Sequence, residues 1–129
     1  MPRKPSTQPN DVELAILRVL WDRGPSSIRD VHDALAPTRD AGYTSTAKMM
    51  QVMCDKGLLL RSDSDRTTLY RPAASAATTQ RQILKRLIHQ VFGGSTRKLV
   101  MRAVESGKVN PHERAQIQEF LKTFKGEEK

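Results

Sequence analysis

The spacing of apolar residues changes once within residues 10–72, and this change constrains the fold most strongly. Three short segments carry apolar residues at helical spacing, and the two segments that follow are rich in residues typical of strands. Gly24-Pro25, Pro37 and Gly57 end the three helical segments. Three helices followed by a hairpin is the order of a winged helix-turn-helix domain. We therefore predict a mainly α fold with a small β-hairpin wing.

Capping residues mark the starts of the first two helices. Asn10 is followed three residues later by Glu13, and Ser27 is followed three residues later by Asp30. Each pair can form a capping box, in which side chain and backbone bond reciprocally. Residues 1–9 are rich in Pro, Ser, Thr and Gln, so we expect a flexible arm before the first helix.

The third helix is expected to run from about Tyr43 to Lys56 and to have two different faces. Its apolar stripe consists of Thr46, Met49, Met50, Met53 and Cys54. Its opposite face is small and polar, with residues Thr44, Ser45, Ala47, Lys48, Gln51 and Val52. A short second helix that braces such a third helix allows the polar face to enter a DNA major groove, which is about 12 Å wide.

A hairpin is predicted after the third helix. Residues 58–61 and 67–70 have the composition of two strands, and Pro72 ends the second one. Residues 62–65 are predicted to form a turn longer than the two-residue type, with a mobile tip. This wing would place Arg66 and Arg71 near the phosphate backbone of DNA.

The positive charge is concentrated in one third of the chain. The 129 residues include 22 Lys and Arg and 14 Asp and Glu, which gives a net charge of +8. Residues 66–104 contain eight of the basic residues and no acidic residue, so the other 14 basic residues balance the 14 acidic ones. A solvated basic helix face would explain part of this pattern. Binding to a polyanion is the more specific interpretation.

Three further helices are predicted after Pro72, separated by Gly93-Gly94 and Gly107. A three-helix unit of roughly fifty residues has a small core, so pairing with a second copy is the economical way to bury its apolar stripes. We expect a homodimer held by Leu84, Leu87, Ile88, Val91, Phe92, Leu99, Val100, Val104, Ile117, Phe120, Leu121 and Phe124. Packing of these helices on the N-terminal domain of the same chain is the alternative.

These patterns divide the chain into five regions. We expect a flexible arm, a winged-helix DNA-binding domain, a linker, a helical dimerisation domain and a flexible tail. In the same order, the predicted boundaries are 1–9, 10–72, 73–79, 80–125 and 126–129.

A membrane or secreted protein is not expected. The longest apolar runs, such as Leu58-Leu59-Leu60, are far shorter than the ~20 residues that span a bilayer, so no membrane insertion is predicted. The first residues carry no apolar stretch typical of a secretory signal. The single cysteine, Cys54, cannot form an intramolecular disulfide, and we expect a packed thiol in a cytoplasmic protein.

An enzyme, a metal site and a bound cofactor are not expected either. His32, His89 and His112 are far apart along the chain and lack the spacing of metal ligands. No glycine-rich phosphate loop or nucleophile elbow is present in the sequence. The acidic residues cluster at predicted helix starts, where capping already explains them.

Short motifs follow one another in a fixed order across residues 10–125. They are Val12-Glu13-Leu14, Leu20-Trp21, Gly24-Pro25, Ile28-Arg29-Asp30-Val31, Tyr43-Thr44-Ser45-Thr46, Asp55-Lys56-Gly57-Leu58-Leu59, Leu69-Tyr70-Arg71-Pro72, Phe92-Gly93-Gly94-Ser95 and Leu99-Val100. Together they resemble the penicillinase-repressor family of the BlaI/MecI type.

The resemblance implies a homodimeric winged-helix repressor that binds an operator dyad in double-stranded DNA, upstream of resistance, stress or homeostasis genes. The third helix would contact bases, and the C-terminal helices would hold the dimer. Carried onto this chain and its predicted wing, it implies DNA contacts at Arg39, Tyr43, Thr44, Ser45, Ala47, Lys48, Gln51, Val52, Arg66, Thr68 and Arg71.

The chain departs from the family pattern in its third helix. Family members commonly carry Arg at one or both of the positions held here by Gln51 and Val52. Gln can bond to adenine, whereas Val can contact only a thymine methyl. We therefore expect an operator sequence that differs from the one typical of the family, or a larger contribution of the wing to the affinity for DNA.

A second departure concerns induction. In the β-lactam-responsive members, a membrane sensor-protease pathway leads to cleavage at an Asn-Phe pair in the second C-terminal helix. The equivalent positions here are Arg102 and Ala103, a candidate cleavage site with a different protease specificity. The copper-responsive members use C-terminal cysteines, which this sequence lacks, so that metal-sensing mechanism is excluded.

Two other functions stay open at this point. The chain could be a winged-helix regulator that senses a small ligand directly. It could also be an adaptor whose winged helix binds protein, which predicts salt-insensitive binding to its partner and no affinity for duplex DNA.

Overall fold

The computed structural model describes residues 8–107 and 109–123. Along these residues the elements are α1 (Asp11–Arg23), α2 (Ile28–Leu35), α3 (Tyr43–Asp55), β1 (Leu59–Ser64), β2 (Thr67–Pro72), α4 (Ala76–Gln90), α5 (Thr96–Ser106) and α6 (Pro111–Thr123). This order confirms the predicted mainly α fold with a hairpin wing. The chain divides into two compact units, and the division falls between Ile83 and Leu84, inside α4.

Both predicted capping boxes are present. The Glu13 backbone N–H donates to Asn10 Oδ1 at 2.9 Å, and the Asn10 N–H donates to Glu13 Oε1 at 3.0 Å. Ser27 and Asp30 form the same pair of bonds at the start of α2. These bonds satisfy backbone donors that the first helical turn leaves without intrahelical partners.

The core of the first unit lies between α1, α2, α3 and the hairpin. It consists of Ile16, Leu17, Leu20, Val31, Leu35, Met50, Met53, Leu59 and Tyr70. Helix α1 packs against α2, α3 and β2, so it forms the centre of this unit. Because α3 buries Met50 and Met53, its opposite face is left to solvent.

The wing has longer strands than the sequence predicted, and the expected four-residue turn at 62–65 was wrong. Ser62 and Ser64 belong to β1 and pair with Leu69 and Thr67, which leaves only two residues, Asp65 and Arg66, in the turn. Asp65 has a φ of 50°, a left-handed conformation that Asp tolerates better than most residues. Strand pairing therefore outweighs the turn preference of the Ser and Asp residues.

A short bridge adds a third segment beside the hairpin. The Ser26 N–H donates to Tyr70 O at 3.1 Å, and the Tyr70 N–H donates to Ser26 O at 2.8 Å. The Trp21 indole N–H also donates to Ala74 O at 3.1 Å, which ties α1 to the chain after the wing. Strand β2 is therefore paired with β1 along one edge and with Ser26 on the other.

Helix α4 begins at Ala76, inside the stretch 73–79 that was predicted as a linker. The Ser75 hydroxyl accepts a hydrogen bond from the Thr78 N–H at 3.1 Å, so Ser75 caps this end. Residues 76–79 are therefore helical although they were assigned to a linker, and Thr79 is buried.

The second unit contains the rest of α4 together with α5 and α6. Ser95 caps α5, and Asn110 Oδ1 accepts from the Glu113 N–H at 2.7 Å at the start of α6. No residue of α5 or α6 is buried. The predicted tail at 126–129 and Phe124 lie outside the described residues. Across the described ranges, none of the helices has the length and apolar content needed to cross a membrane.

Candidate nucleic-acid interface

The polar face of α3 is open to solvent along its whole length. Thr44, Ser45, Lys48, Gln51 and Val52 are exposed, and Ala47 is half-buried. Burial of Thr46, Met50 and Met53 on the other side fixes this orientation. Helix α3 therefore presents a surface of small and polar side chains with one positive charge, at Lys48.

Helix α2 holds the first residue of this surface. The Tyr43 ring, 41% exposed, lies under the Arg29 guanidinium, whose central carbon is 4.8 Å from the ring centroid. The His32 ring meets Tyr43 edge to face, with centroids 5.8 Å apart, and His32 Nδ1 is hydrogen-bonded to Thr46 Oγ1 at 3.2 Å. Arg29 was not predicted as part of this surface, although its separation from His32 (i, i+3) places both residues on one face of α2.

One of the predicted base-contacting side chains already has a partner. Gln51 Nε2 donates to Asp55 Oδ1 at 3.4 Å, one turn later on α3. Gln51 would have to give up this weak, exposed bond to reach a base. Val52, by contrast, presents a bare apolar surface.

Arg39 lies just after α2, and its side chain is half-buried. It lines a small cavity of about 50 Å³ together with Ser45 and Met49 of α3. Arg39 therefore lies beside the polar face of α3 that is predicted to contact DNA bases.

The wing carries both signs of charge. Arg66 and Arg71 are exposed, as the prediction of phosphate contacts requires. The half-buried Thr68 hydroxyl donates to Asp63 Oδ1 at 2.8 Å, and Arg61 Nε donates to the same oxygen at 3.2 Å. Thr68, predicted to contact DNA, is thus engaged within the wing.

These two hydrogen bonds set the charge state of the wing acid. The bond from Thr68 and then the bond from Arg61 hold the pKa of the Asp63 carboxyl below its usual range. Asp63 in turn raises the pKa of the Arg61 guanidinium, mainly through their hydrogen bond. Asp63 therefore carries a negative charge at neutral pH.

A buried ion pair fixes the far end of α3. Glu13 of α1 is 1% exposed, and each of its carboxylate oxygens accepts a hydrogen bond from Lys56 Nζ at 2.9 Å. Lys56 is the C-cap residue of α3. The local sequence pattern predicts only a capping role for Glu13, because it contains nothing that links positions 43 residues apart.

Comparison with known proteins assigns the chain to a family. The family model described as Penicillinase repressor matches residues 10–123. The chain belongs to the penicillinase repressor family. The protein named Transcriptional regulator BlaI, found in two strains of Mycobacterium tuberculosis, is 37% identical to it over 67 residues. That match covers 51% of this chain, which spans about half (49%) of the length of these curated relatives.

The second unit of this family member exposes most of the predicted dimerisation residues. Leu84, Leu87, Val91, Val100, Val104, Ile117, Phe120 and Leu121 are exposed, whereas Ile88, Phe92 and Leu99 are half-buried. Val91 and Leu121 are 65% and 62% exposed, respectively. Met101, which was not predicted, adds another exposed apolar side chain on α5.

The two residues at the candidate cleavage site of this family member lie in α5. Arg102 and Ala103 are both exposed, and Arg102 forms an ion pair with Glu105 on the same helix. The backbone of both residues is helical.

The Cys54 thiol is free and half-buried. Burial, followed by the nearby Asp55, raises the pKa of the Cys54 thiol, so it stays protonated at neutral pH. Cys54 packs against the core, as predicted. Among residues 8–107 and 109–123, no group of three His, Cys, Asp or Glu side chains could hold a metal ion.

Proposed function

We propose that the protein is a dimeric transcriptional repressor that binds an operator dyad through α3. The exposed polar face of α3, held from behind by Met50 and Met53, is the observation that carries this proposal. A helix with such a face fits a DNA major groove, where Lys48 and Gln51 can bond to base edges. Membership of the penicillinase repressor family supports the same function.

Dimerisation through α4, α5 and α6 is the second part of the proposal. Apolar side chains such as Val91, Val104 and Leu121 are more than half exposed in the single chain. Patches of this kind in a soluble protein mark an interaction surface. A two-fold pair of chains would also present two copies of α3 to two half-sites of an operator.

Affinity and base preference would come from different parts of the first unit. The wing residues Arg66 and Arg71 would neutralise phosphates, which attracts DNA of any sequence. The α3 face would distinguish bases through largely uncharged side chains. Because Val52 stands at one of the two positions where family members commonly carry one or two arginines, we expect a thymine methyl rather than a guanine opposite it.

For induction, we propose cleavage between Arg102 and Ala103 after a signal from a membrane sensor-protease pathway, with resistance or homeostasis genes as targets. Both residues are exposed on α5, which supports access to a protease. Cleavage there would remove α6 from the dimerisation region and weaken the paired state. Mass spectrometry of the protein recovered from induced cells tests this assignment, and an intact α5 under induction contradicts it.

The main test measures binding of the full chain to labelled duplexes by fluorescence anisotropy. We expect tight binding to a dyad from the DNA upstream of the gene and weak binding to a scrambled duplex of the same length. Lys48→Ala and Gln51→Ala should reduce the ratio of the two affinities, whereas the matched control Arg23→Ala, at an exposed position of α1, should not. Equal affinity for both duplexes contradicts operator recognition, and no affinity for either favours the protein-binding adaptor.

Direct sensing of a small ligand is a second candidate, favoured by one cavity in the first unit. A cleft of about 400 Å³ lies between α1 and the start of α4, lined by Leu14, Arg18, Trp21, Thr79 and Ile83 among others. Its size falls within the range of ligand pockets. Trp21 is the single tryptophan, so its fluorescence reports occupancy in a ligand screen. If no ligand in the screen changes both the Trp21 fluorescence and the affinity for the operator, direct sensing is contradicted.

A further inference from the structure

The contact between Arg29 and Tyr43 has no role in packing the core. Both side chains are exposed, yet the Arg29 guanidinium lies 4.8 Å from the centre of the Tyr43 ring. Arg29 belongs to the first turn of α2, and Tyr43 is the first residue of α3. The pair therefore sits on the surface of the helix-turn-helix, at the start of the helix proposed to read DNA.

The stack leaves the hydrogen-bonding edge of Arg29 free. Cation–π stacking uses the flat face of a guanidinium, whereas its five N–H donors lie in the plane and point outward. Among the described residues, Arg29 forms no ion pair with a carboxylate, unlike Lys56 or Arg61. Arg29 therefore keeps its full charge and its donors for an external partner.

The ring under Arg29 is itself held in place. His32 meets Tyr43 edge to face, and His32 is hydrogen-bonded to Thr46, which is buried in α3. The orientation of Arg29 is thus linked through Tyr43 and His32 to the buried side of α3. A charged side chain fixed in this way loses less conformational freedom on binding than a free surface arginine.

We propose that Arg29 binds a phosphate of the DNA backbone and that the Tyr43 ring positions it. A guanidinium donates two parallel hydrogen bonds to a phosphate, and such contacts set the register of a protein on DNA without reading sequence. The contact would fix how the start of α3 enters the groove. This inference rests on the proposed DNA-binding function.

The test compares variants of the full chain in duplex-binding titrations over a range of salt concentrations. Arg29→Gln should weaken binding to the operator and to a scrambled duplex by the same factor, about tenfold. The slope of log K against log salt should become shallower by about 0.9 for each phosphate that the variant no longer neutralises. Arg29→Lys, which keeps the charge but not the flat stack, should keep the slope and bind with intermediate affinity.

A second set of variants tests the role of the ring. Tyr43→Leu removes the aromatic face and should weaken binding, whereas Tyr43→Phe keeps the stack and should bind clearly more tightly than Tyr43→Leu. The double variant Arg29→Gln/Tyr43→Leu should weaken binding much less than the product of the two single effects, because the residues act as one unit. Independent effects contradict the positioning role of Tyr43.

Matched controls separate this contact from general charge and from folding. Arg23→Gln removes the same charge from an exposed position of α1 and should leave the salt slope nearly unchanged. The melting temperature of Arg29→Gln should match that of the unaltered protein, because the side chain is exposed. If the unaltered protein binds duplex but Arg29→Gln changes neither affinity nor slope, the Arg29 assignment alone is wrong. If the unaltered protein binds no duplex, the proposed function fails first.

Discussion

The two units of the chain place their apolar residues in opposite ways. The first unit buries Ile16, Leu20 and Met53 inside a core shared by three helices and a hairpin. Helices α5 and α6 of the second unit also carry apolar stripes in their sequence, yet they bury no residue. An apolar stripe therefore specifies which face of a helix will be buried. It does not specify whether the residues that bury this face belong to the same chain.

The largest expected effect tests how strongly the first unit depends on its own internal contacts. Lys56→Met leaves the Glu13 carboxylate buried and without its cation. Removing one partner of a buried ion pair costs about 3–5 kcal/mol, because the remaining charge stays desolvated. Urea denaturation followed by circular dichroism measures the decrease in the free energy of unfolding.

Lys48→Met is the matched control for that experiment, since Lys48 is an exposed lysine of the same helix. It should change the free energy of unfolding by no more than about 0.5 kcal/mol. The double variant Glu13→Gln/Lys56→Met should recover part of the stability, because no buried charge then remains unpaired. An equal cost for both lysine substitutions would show that the Glu13–Lys56 pair does not hold α3 to α1.

A smaller effect is expected from a charge placed on the second unit. Leu121→Asp puts a carboxylate on the apolar stripe of α6 and should weaken the proposed dimer by about 2 kcal/mol or more. Sedimentation equilibrium measures the dimer dissociation constant. Gln118→Asp adds the same charge to a polar position of α6 and should leave that constant nearly unchanged. If Leu121→Asp leaves the dissociation constant unchanged, the exposed stripe of α6 does not form the dimer interface and binds another partner.

The smallest effect concerns the mixed charge of the wing. Asp63→Asn removes an exposed negative charge and frees Arg61, so binding to any duplex should tighten about two- to fivefold at low salt. Anisotropy titrations on operator and scrambled duplexes measure the change. A decrease in affinity instead would mean that the Asp63 bonds to Thr68 and Arg61 hold the wing in the shape that DNA requires.

The same acid gives a pH dependence with a defined sign. Hydrogen bonds from Thr68 and Arg61 lower the pKa of Asp63, so the folded state favours the ionised carboxylate. This stabilisation is present above the pKa of a free carboxyl and is lost as the pH falls through the lowered value. NMR titration of the Asp63 carboxyl carbon measures that pKa, and Thr68→Val should raise it. A pKa at or above that of a free carboxyl contradicts the wing geometry.

Local signals predicted the elements of the first unit well. Asn10, Ser27 and Gly24 mark helix ends through backbone chemistry that acts within a few residues, so their roles follow from the sequence alone. The turn between β1 and β2 was predicted wrongly because its length depends on pairing between two strands rather than on local backbone chemistry. Its composition favours a long turn, but cross-strand pairs at residues 62–64 extend the strands.

The candidate interface was predicted only in part. The exposed face of α3 follows from helical periodicity, and the structure places those residues together. Arg29 was missed because its contact with Tyr43 depends on how α2 crosses α3, which spacing along the chain does not specify. The engagement of Thr68 by Asp63 was missed in the same way, since it needs the register of the hairpin.

The sequence by itself determined the order of helices and strands, the faces of each helix and the concentration of positive charge in residues 66–104. Propensity, capping and periodicity act over a few residues, so the sequence displays them directly. Only the tertiary structure decided that Lys56 neutralises Glu13, that Ser26 pairs with Tyr70 and that Arg29 stacks on Tyr43. These pairs lie far apart along the chain, and they form because the folding of a shared core brings their elements together.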